Sequence, residues 1–236
     1  MEEISEHRID KWETLMFTYE SALKEIATKI DILNNEFIKI HNYNPIEHVT
    51  SRIKSSESIV KKLKRHGLEV NMDNMQNCLS DIAGIRIVCS FTSDIYRIAD
   101  RISSQSDIQV LTVKNYIANP KPNGYKSYHM VVSVPVYLST GPVNVKVEIQ
   151  IRTIAMDFWA SLEHKIRYKF EGKAPQHINE ELKACSDIVN MLDAKMLQLN
   201  EVQALPKVGV EEQHEENVRM QKMWEENKIV DKLQKK

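Results

Sequence analysis

The longest regular pattern in the chain covers residues 8–41. Apolar side chains recur there at Trp12, Leu15, Tyr19, Leu23, Ile26, Ile30, Leu33, Phe37 and Ile40, always three or four positions apart, the period of one apolar helix face. At 1.5 Å of rise per residue such a helix is about 50 Å long, more than one core of this size needs. Part of its stripe is therefore expected to meet another element or another subunit. A second long stripe, Leu182, Cys185, Ile188, Val189, Leu192, Met196 and Leu199, predicts a helix over 178–205 that serves as core or interface. A third helix is predicted over 153–170, carrying Met156, Phe158, Trp159, Leu162, Ile166 and Tyr168.

Between the long helices the period changes to two. Val145, Val147, Ile149 and Ile151 alternate with Lys146, Glu148, Gln150 and Arg152, so a strand places the first set on one face and the second on the other. The polar row lacks the Ser and Thr of an ordinary solvated face and reads as the floor of a polar site. Strands are predicted over 49–54, 85–89, 108–113, 128–138 and 143–151, the last two forming a hairpin through residues 139–142. Ser55 or Ser56 caps a helix that runs to His66 and stops at Gly67, and Ser93 caps another over 93–105. The order β-α-β-α-β-β-β implies an α+β fold, a mixed five-stranded sheet flanked by helices, with long N- and C-terminal helices.

Composition bounds this picture. With 236 residues, 42% hydrophobic and 28% charged, the chain suits one domain with helical extensions. The expected segments are an N-terminal helix (1–45), a central domain (46–172), a C-terminal helix (173–205) and a charged tail (206–236). A net charge of −1 gives no general attraction to nucleic acid or anionic membrane, so nucleic acid is not expected as the main partner and any basic patch must be local. Three cysteines without CxxC spacing suit reduced, buried thiols. No apolar run approaches the ~18 residues of a membrane span, and the N-terminus lacks signal-peptide features, so a cytoplasmic location is expected.

Candidate chemistry gathers in four places. Arg52 and Lys54 share a strand face, and Ser58 and Lys62 share a helix face directly after it, a plausible polyphosphate cradle. Asp81 stands at the mouth of the 85–89 strand, where Arg86 interrupts an apolar run, a costly placement for a charge unless it is paired or used. The turn Lys121-Pro-Asn-Gly-Tyr-Lys-Ser-Tyr-His129 delivers an aromatic ring, lysines and an imidazole to one place. Asp81 and Glu148, at separate strand ends, suit a hard cation such as Mg²⁺, which keeps waters and takes one or two carboxylates plus substrate phosphates. Tyr125, taken as exposed, suits stacking on a base. Zinc is disfavoured by the lack of His/Cys spacing. GxxxxGK[ST], GxGxxG and a nucleophile elbow are all absent.

The ordered series Arg52-Ile-Lys54, Ser58, Lys62, Asp81-Ile-Ala-Gly-Ile-Arg86, Lys114-Asn-Tyr116, residues 121–129 and Glu148-Ile-Gln-Ile-Arg-Thr153 resembles the synthetase domain of the RelA/SpoT family. Over residues 8–205 the chain is similar to the stand-alone small alarmone synthetases, closest to the RelP-type branch. The resemblance implies a nucleotidyltransferase-like fold and a pyrophosphokinase that moves the β,γ-diphosphate of ATP to the ribose 3′-hydroxyl of GDP or GTP, yielding ppGpp or pppGpp in the stringent response. It assigns Arg52 and Arg86 to the adenine and Lys54, Ser58 and Lys62 to the ATP phosphates. Asp81 and Glu148 would hold Mg²⁺, with Glu148 as base. Tyr125 would stack on guanine, with Lys114, Tyr116, Lys121, Asn123, His129, Gln150 and Arg152 around the GDP or GTP. It also implies a homotetramer. No histidine is followed by aspartate, so the family's hydrolase motif is missing and no alarmone hydrolysis is expected. In larger relatives the segment at 112–115 reads either as a basic Arg-x-Lys-Asp or as an acidic counterpart; here it is Thr-Val-Lys-Asn and keeps only the lysine. Two alternatives stand beside this reading: transfer to the 3′ end of tRNA, and a non-catalytic guanine-nucleotide sensor.

Overall fold

The computed structural model describes residues 2–170 and 174–203, with side chains over 11–170 and 174–201. The expected tail at 206–236 lies outside the described residues. The elements are α1 (Glu2–His41), β1 (Ile46–Ile53), α2 (Ser56–Arg65), α3 (Met72–Cys78), β2 (Ala83–Cys89), α4 (Thr92–Ser103), β3 (Gln109–Asn115), β4 (Tyr128–Leu138), β5 (Gly141–Thr153), α5 (Ile154–Lys169) and α6 (Gln176–Gln203). The chain divides into two units, Met1–Asp193 and Ala194–Lys236; the sheet and the site both belong to the first. Of the second, the structure describes residues 194–203, the last turns of α6.

The sheet runs β1-β2-β5-β4-β3. Only the β2–β5 pair is parallel, and the other three pairs are antiparallel, which makes the sheet mixed as the element order predicted. One face is mainly apolar: Ile85, Ile87, Met130, Val132, Val147, Ile149 and Ile151 are all buried. Leu15, Tyr19, Ala22, Leu23, Ile26 and Ile30 of α1 and Ile95, Ile98 and Ile102 of α4 belong to the same cluster. The N-terminal stripe thus meets the sheet along its middle, with Leu33 and Phe37 packed at the margin and Ile40 left 69% exposed.

Several local outcomes differ from the pattern-based expectations. Helix α3 was not foreseen: seven residues show no helical period, and what starts it is Asn71, whose side chain accepts from Asn74 N at 2.8 Å. Helix α4 begins at Thr92 after Phe91, not at a Ser93 cap. The buried Asp94 carboxylate accepts from Phe91 N at 3.2 Å and from the Tyr43 hydroxyl at 2.7 Å. The hairpin loop is tighter than 139–142, because Leu138 already pairs with Gly141 and Gly141 takes φ +118, open to glycine. Of the three free cysteines only Cys89 is buried, and burial pushes its thiol far up; Cys78 and Cys185 are exposed. In the 178–205 stripe Leu182 is buried, whereas Ile188 and Leu192 face solvent.

Candidate active site

The polar face of the sheet is built by register. Thr50 pairs with Arg86, Arg86 with Gln150, Gln150 with His129, and His129 with Lys114, so one row crosses all five strands with a polar residue from each. In the neighbouring row Gly84 stands between Arg52 and Glu148 and presents no side chain to separate them. Paired residues of adjacent strands point to the same side, and the alternation read from β5 therefore holds across the sheet.

At one end of this face β1 runs out at Ile53 and the chain turns into α2. Ser55 caps that helix, its hydroxyl accepting from Ser58 N at 3.4 Å and donating to Ser58 Oγ at 2.9 Å. Lys54 Nζ donates to Asp81 Oδ2, and Lys62 Nζ lies 2.8 Å from Asp81 Oδ1. Of the residues expected near the ATP phosphates and metal, Lys54, Lys62 and Asp81 thus meet where β1 runs into α2, with Ser58 in the first turn of that helix; Arg52, expected at the adenine, stays on β1. Burial alone would push the Asp81 carboxyl up. The hydrogen bonds and charges of Lys54 and Lys62 outweigh that and hold it below the usual aspartate value.

The other end is the turn after β3. Gly124 takes φ +89, and its N–H donates to Lys121 O at 2.8 Å. Asn123 binds in two directions, accepting from Tyr125 N at 3.3 Å and donating to Glu163 Oε1 of α5 at 3.0 Å. Tyr116, Tyr125 and His129 meet edge to face, with centroids 5.2–5.9 Å apart. The Lys121 ammonium sits 4.7 Å and 4.8 Å from the two tyrosine ring centroids. Tyr125 is half-buried, not exposed as expected: its ring borders Trp159, Ala160 and Leu182, while its hydroxyl enters the polar network. Lys114 is exposed on β3.

Glu148 occupies the centre. It accepts from Gln150 Nε2 at 2.9 Å, and His129 Nδ1 stands 3.5 Å from its Oε1. His129 Nε2 in turn lies 2.8 Å from the Tyr125 hydroxyl, which accepts from Arg152 NH2 at 2.6 Å. When the hydroxyl donates to Nε2, Nδ1 carries the N–H that faces Glu148. Burial raises the Glu148 carboxyl, but His129 and Gln150 more than offset this and leave it below its ordinary value, while the charge of Asp81 acts on it in the raising direction. Arg152 is only 5% exposed. Its donors go to Asp157 (2.9 Å), Tyr125, Gln150 (3.1 Å) and Ser127 (3.4 Å), so it shapes the site from beneath. Asp157 also pairs with Arg86 at 3.3 Å. Asp157, Glu163 and Ser127 were absent from the sequence-based set. The only signal for Asp157 was an acid in a helix first turn, which is common to many helices.

Among the described residues no group of three or more His, Cys, Asp or Glu side chains converges as a metal cage. What exists is a pair of ionised carboxylates in electrostatic contact with lysines beside one of them. That donor set fits Mg²⁺ better than a structural cation, because Mg²⁺ completes its shell with water and phosphate.

A family model described as "Region found in RelA / SpoT proteins" matches residues 51–173. The GTP pyrophosphokinase YwaC of Bacillus subtilis (strain 168) is 48% identical over 189 residues, 80% of this chain and 90% of that protein. The chain belongs to the RelA/SpoT family. The match spans every element from the end of β1 to α5, the part that holds the site. Another relative, the GTP pyrophosphokinase YjbM of the same organism, is 36% identical over 80% of this chain and 88% of its own length. Among solved structures, the small alarmone synthetase 2 of Bacillus subtilis superposes with a TM-score of 0.73 at 46% identity, covering 80% of this chain and 99% of that one. The small alarmone synthetase 1 of the same organism, bound to its product pppGpp, gives 0.76 at 34% identity, covering 83% and 99%. The chain therefore shares its α+β fold with the solved small alarmone synthetases. No helix among the described residues is long and apolar enough to cross a membrane.

Proposed function

We propose that this chain is a GTP pyrophosphokinase that transfers the β,γ-diphosphate of ATP to the 3′-hydroxyl of GDP or GTP, with no hydrolase activity. The observation that carries this reading is the position of Glu148. An ionised carboxylate stands in register beside Gly84 and Arg52 on the cation-rich side, and is reached on the other by His129, which Tyr125 in turn holds. The relatives named GTP pyrophosphokinase and the product-bound neighbour support it.

In this reading Arg52 and Arg86 hold the adenine between guanidinium planes, and Lys54, Ser58 and Lys62 take the ATP phosphates. Tyr125 stacks on guanine, with Lys121, Asn123 and His129 at the ribose and phosphates, and Lys114 and Tyr116 along the same side. Gln150 and Arg152 fix the side chains that touch the acceptor. The acceptor's 3′-oxygen forms a bond to the β-phosphorus of ATP. The bond from that phosphorus to the α–β bridging oxygen breaks, and AMP leaves with the electron pair. The hydroxyl proton passes to Glu148, which its neighbours keep ionised at neutral pH. Asp81 and Glu148 would hold Mg²⁺, which supplies charge neutralisation on the transferred diphosphate when bound. Lys54 and Lys62 pair with Asp81 here and turn to polyphosphate when ATP enters. Little covalent help is needed for such a transfer; placement and charge do most of it.

The homotetramer belongs to the same reading and draws support from outward apolar side chains on α5 and α6, such as Phe158, Ile188 and Leu192. The deciding experiment pairs Glu148→Gln with nucleotide binding. Binding of ATP and GDP is expected to persist while synthesis falls by about 10²–10⁴. Unchanged turnover would remove Glu148 from the chemistry, and absence of turnover in the unaltered protein would favour the sensor.

A further inference from the structure

Building on the diphosphate-transfer reading, we propose that Asp157 is a positioning residue for both nucleotide sites at once. It lies in the first turn of α5, outside the strand and turn motifs that carry the chemistry. One of its oxygens, Oδ1, serves two guanidinium groups: Arg152 NH1 at 2.9 Å and Arg86 NH1 at 3.3 Å. The two arginines come from adjacent strands, with Arg86 opposite Gln150 and Arg152 opposite Val88. They therefore project from one face within two residues of each other.

Such a pair repels. Burial disfavours the cation of Arg86 most, the charges of Arg152 and Arg52 add to that, and Asp157 is the carboxylate that opposes it. Arg86 Nε is buried without a hydrogen-bond partner, and its guanidinium is tied to Asp157 by the ion pair at NH1. Arg152 is the opposite case, with all three of its guanidinium nitrogens engaged. Through Arg152 the influence of Asp157 extends to the Tyr125 hydroxyl at 2.6 Å and the Tyr125 ring at 5.2 Å, and onward to His129 and Glu148. One carboxylate oxygen thus sets the spacing between the arginine assigned to adenine and the ring assigned to guanine. Its side chain is 19% exposed, sheltered enough that removing its charge leaves two cations poorly compensated.

The test is steady-state kinetics on Asp157→Asn and Asp157→Glu, with Asp187→Asn on the exposed surface of α6 as control. The amide keeps shape and loses charge; KM for ATP and KM for the guanine nucleotide are both expected to rise about tenfold in the folded protein, beside a lower melting temperature from the two poorly compensated cations. Glutamate keeps the charge but moves it by one methylene, and both KM values are expected to rise about threefold. The control is expected to leave both unchanged. A rise in one KM alone, or in neither, in any folded Asp157 variant would overturn the proposal. So would a loss of active enzyme and melting temperature at constant KM, the signature of a role in folding only. Should Asp157→Asn not fold, Asp157→Glu decides by the same two constants. If the unaltered protein makes no product, the functional reading fails. If it does and the Asp157 variants match it, only the shared positioning fails.

Discussion

Asp81 and Glu148 are carboxylates that burial alone would push toward protonation and whose partners reverse that. The consequence for pH can be measured. Asp81 has a folded-state value below its unfolded one, near ~3.9. Its ion pairs therefore add stability that is fully present above that value and is lost as pH falls through the lower, folded one. Asp81→Asn is expected to cost about 1–3 kcal/mol at neutral pH, with the gap to the unaltered protein closing below about pH 4. Thermal melts across pH check this, and a gap that stays constant down to pH 3 would contradict it. Tyr125 separates two roles carried by one side chain. Tyr125→Ala removes the stacking surface, and acceptor KM is expected to rise by roughly tenfold or more. Tyr125→Phe keeps the ring but cuts the link from Arg152 to His129, so kcat is expected to fall with a smaller change in KM.

Between elements, the turn that presents Tyr125 is held by a helix far along the chain. Ser186 of α6 donates to Gly124 O at 2.7 Å, and a Cβ on Gly124 would stand 2.6 Å from the Ser186 side chain. Gly67, which ends α2, also takes a positive φ, +70, but has nothing within 4 Å of such a Cβ. Gly67→Ala is therefore expected to cost about 1–3 kcal/mol of backbone strain and leave kinetics unchanged. Gly124→Ala adds a collision, lowering stability further and raising acceptor KM, as melts and kinetics on both variants will show. Much of this arrangement was legible beforehand. Period two in β5 identified Glu148, Gln150 and Arg152 as one face, and the Pro-Asn-Gly turn marked where Lys121, Tyr125 and His129 come together. Strand β4 has the bounds its alternation suggested. The contacts that cross between elements were not legible: nothing local to Asp157, Glu163 or Ser186 distinguishes it from an ordinary helix residue. Helix α3 escaped because its seven residues are too few to show a period, and Tyr125 was taken as exposed because a turn residue's burial depends on what docks over it.

Across the first unit, one apolar sheet face packed by α1 and α4 makes the other face a rigid platform, and five strands each supply one residue to its central row. The nearly neutral chain concentrates positive charge where β1 meets α2, which local charge alone, and not the net value of −1, makes suitable for polyphosphate. The proposed tetramer is checked by sedimentation at micromolar concentration, where a single species of four chains is expected and a monomer would reject it. The central claim is tested most directly by following label from [γ-³²P]ATP incubated separately with GDP, GTP and bulk tRNA and resolving the products. Label is expected on a tetra- or pentaphosphate of guanosine, with AMP formed in equal amount and none of the transfer occurring to 3′-deoxy-GDP. Label on the tRNA 3′ end with none on GDP or GTP would contradict the account.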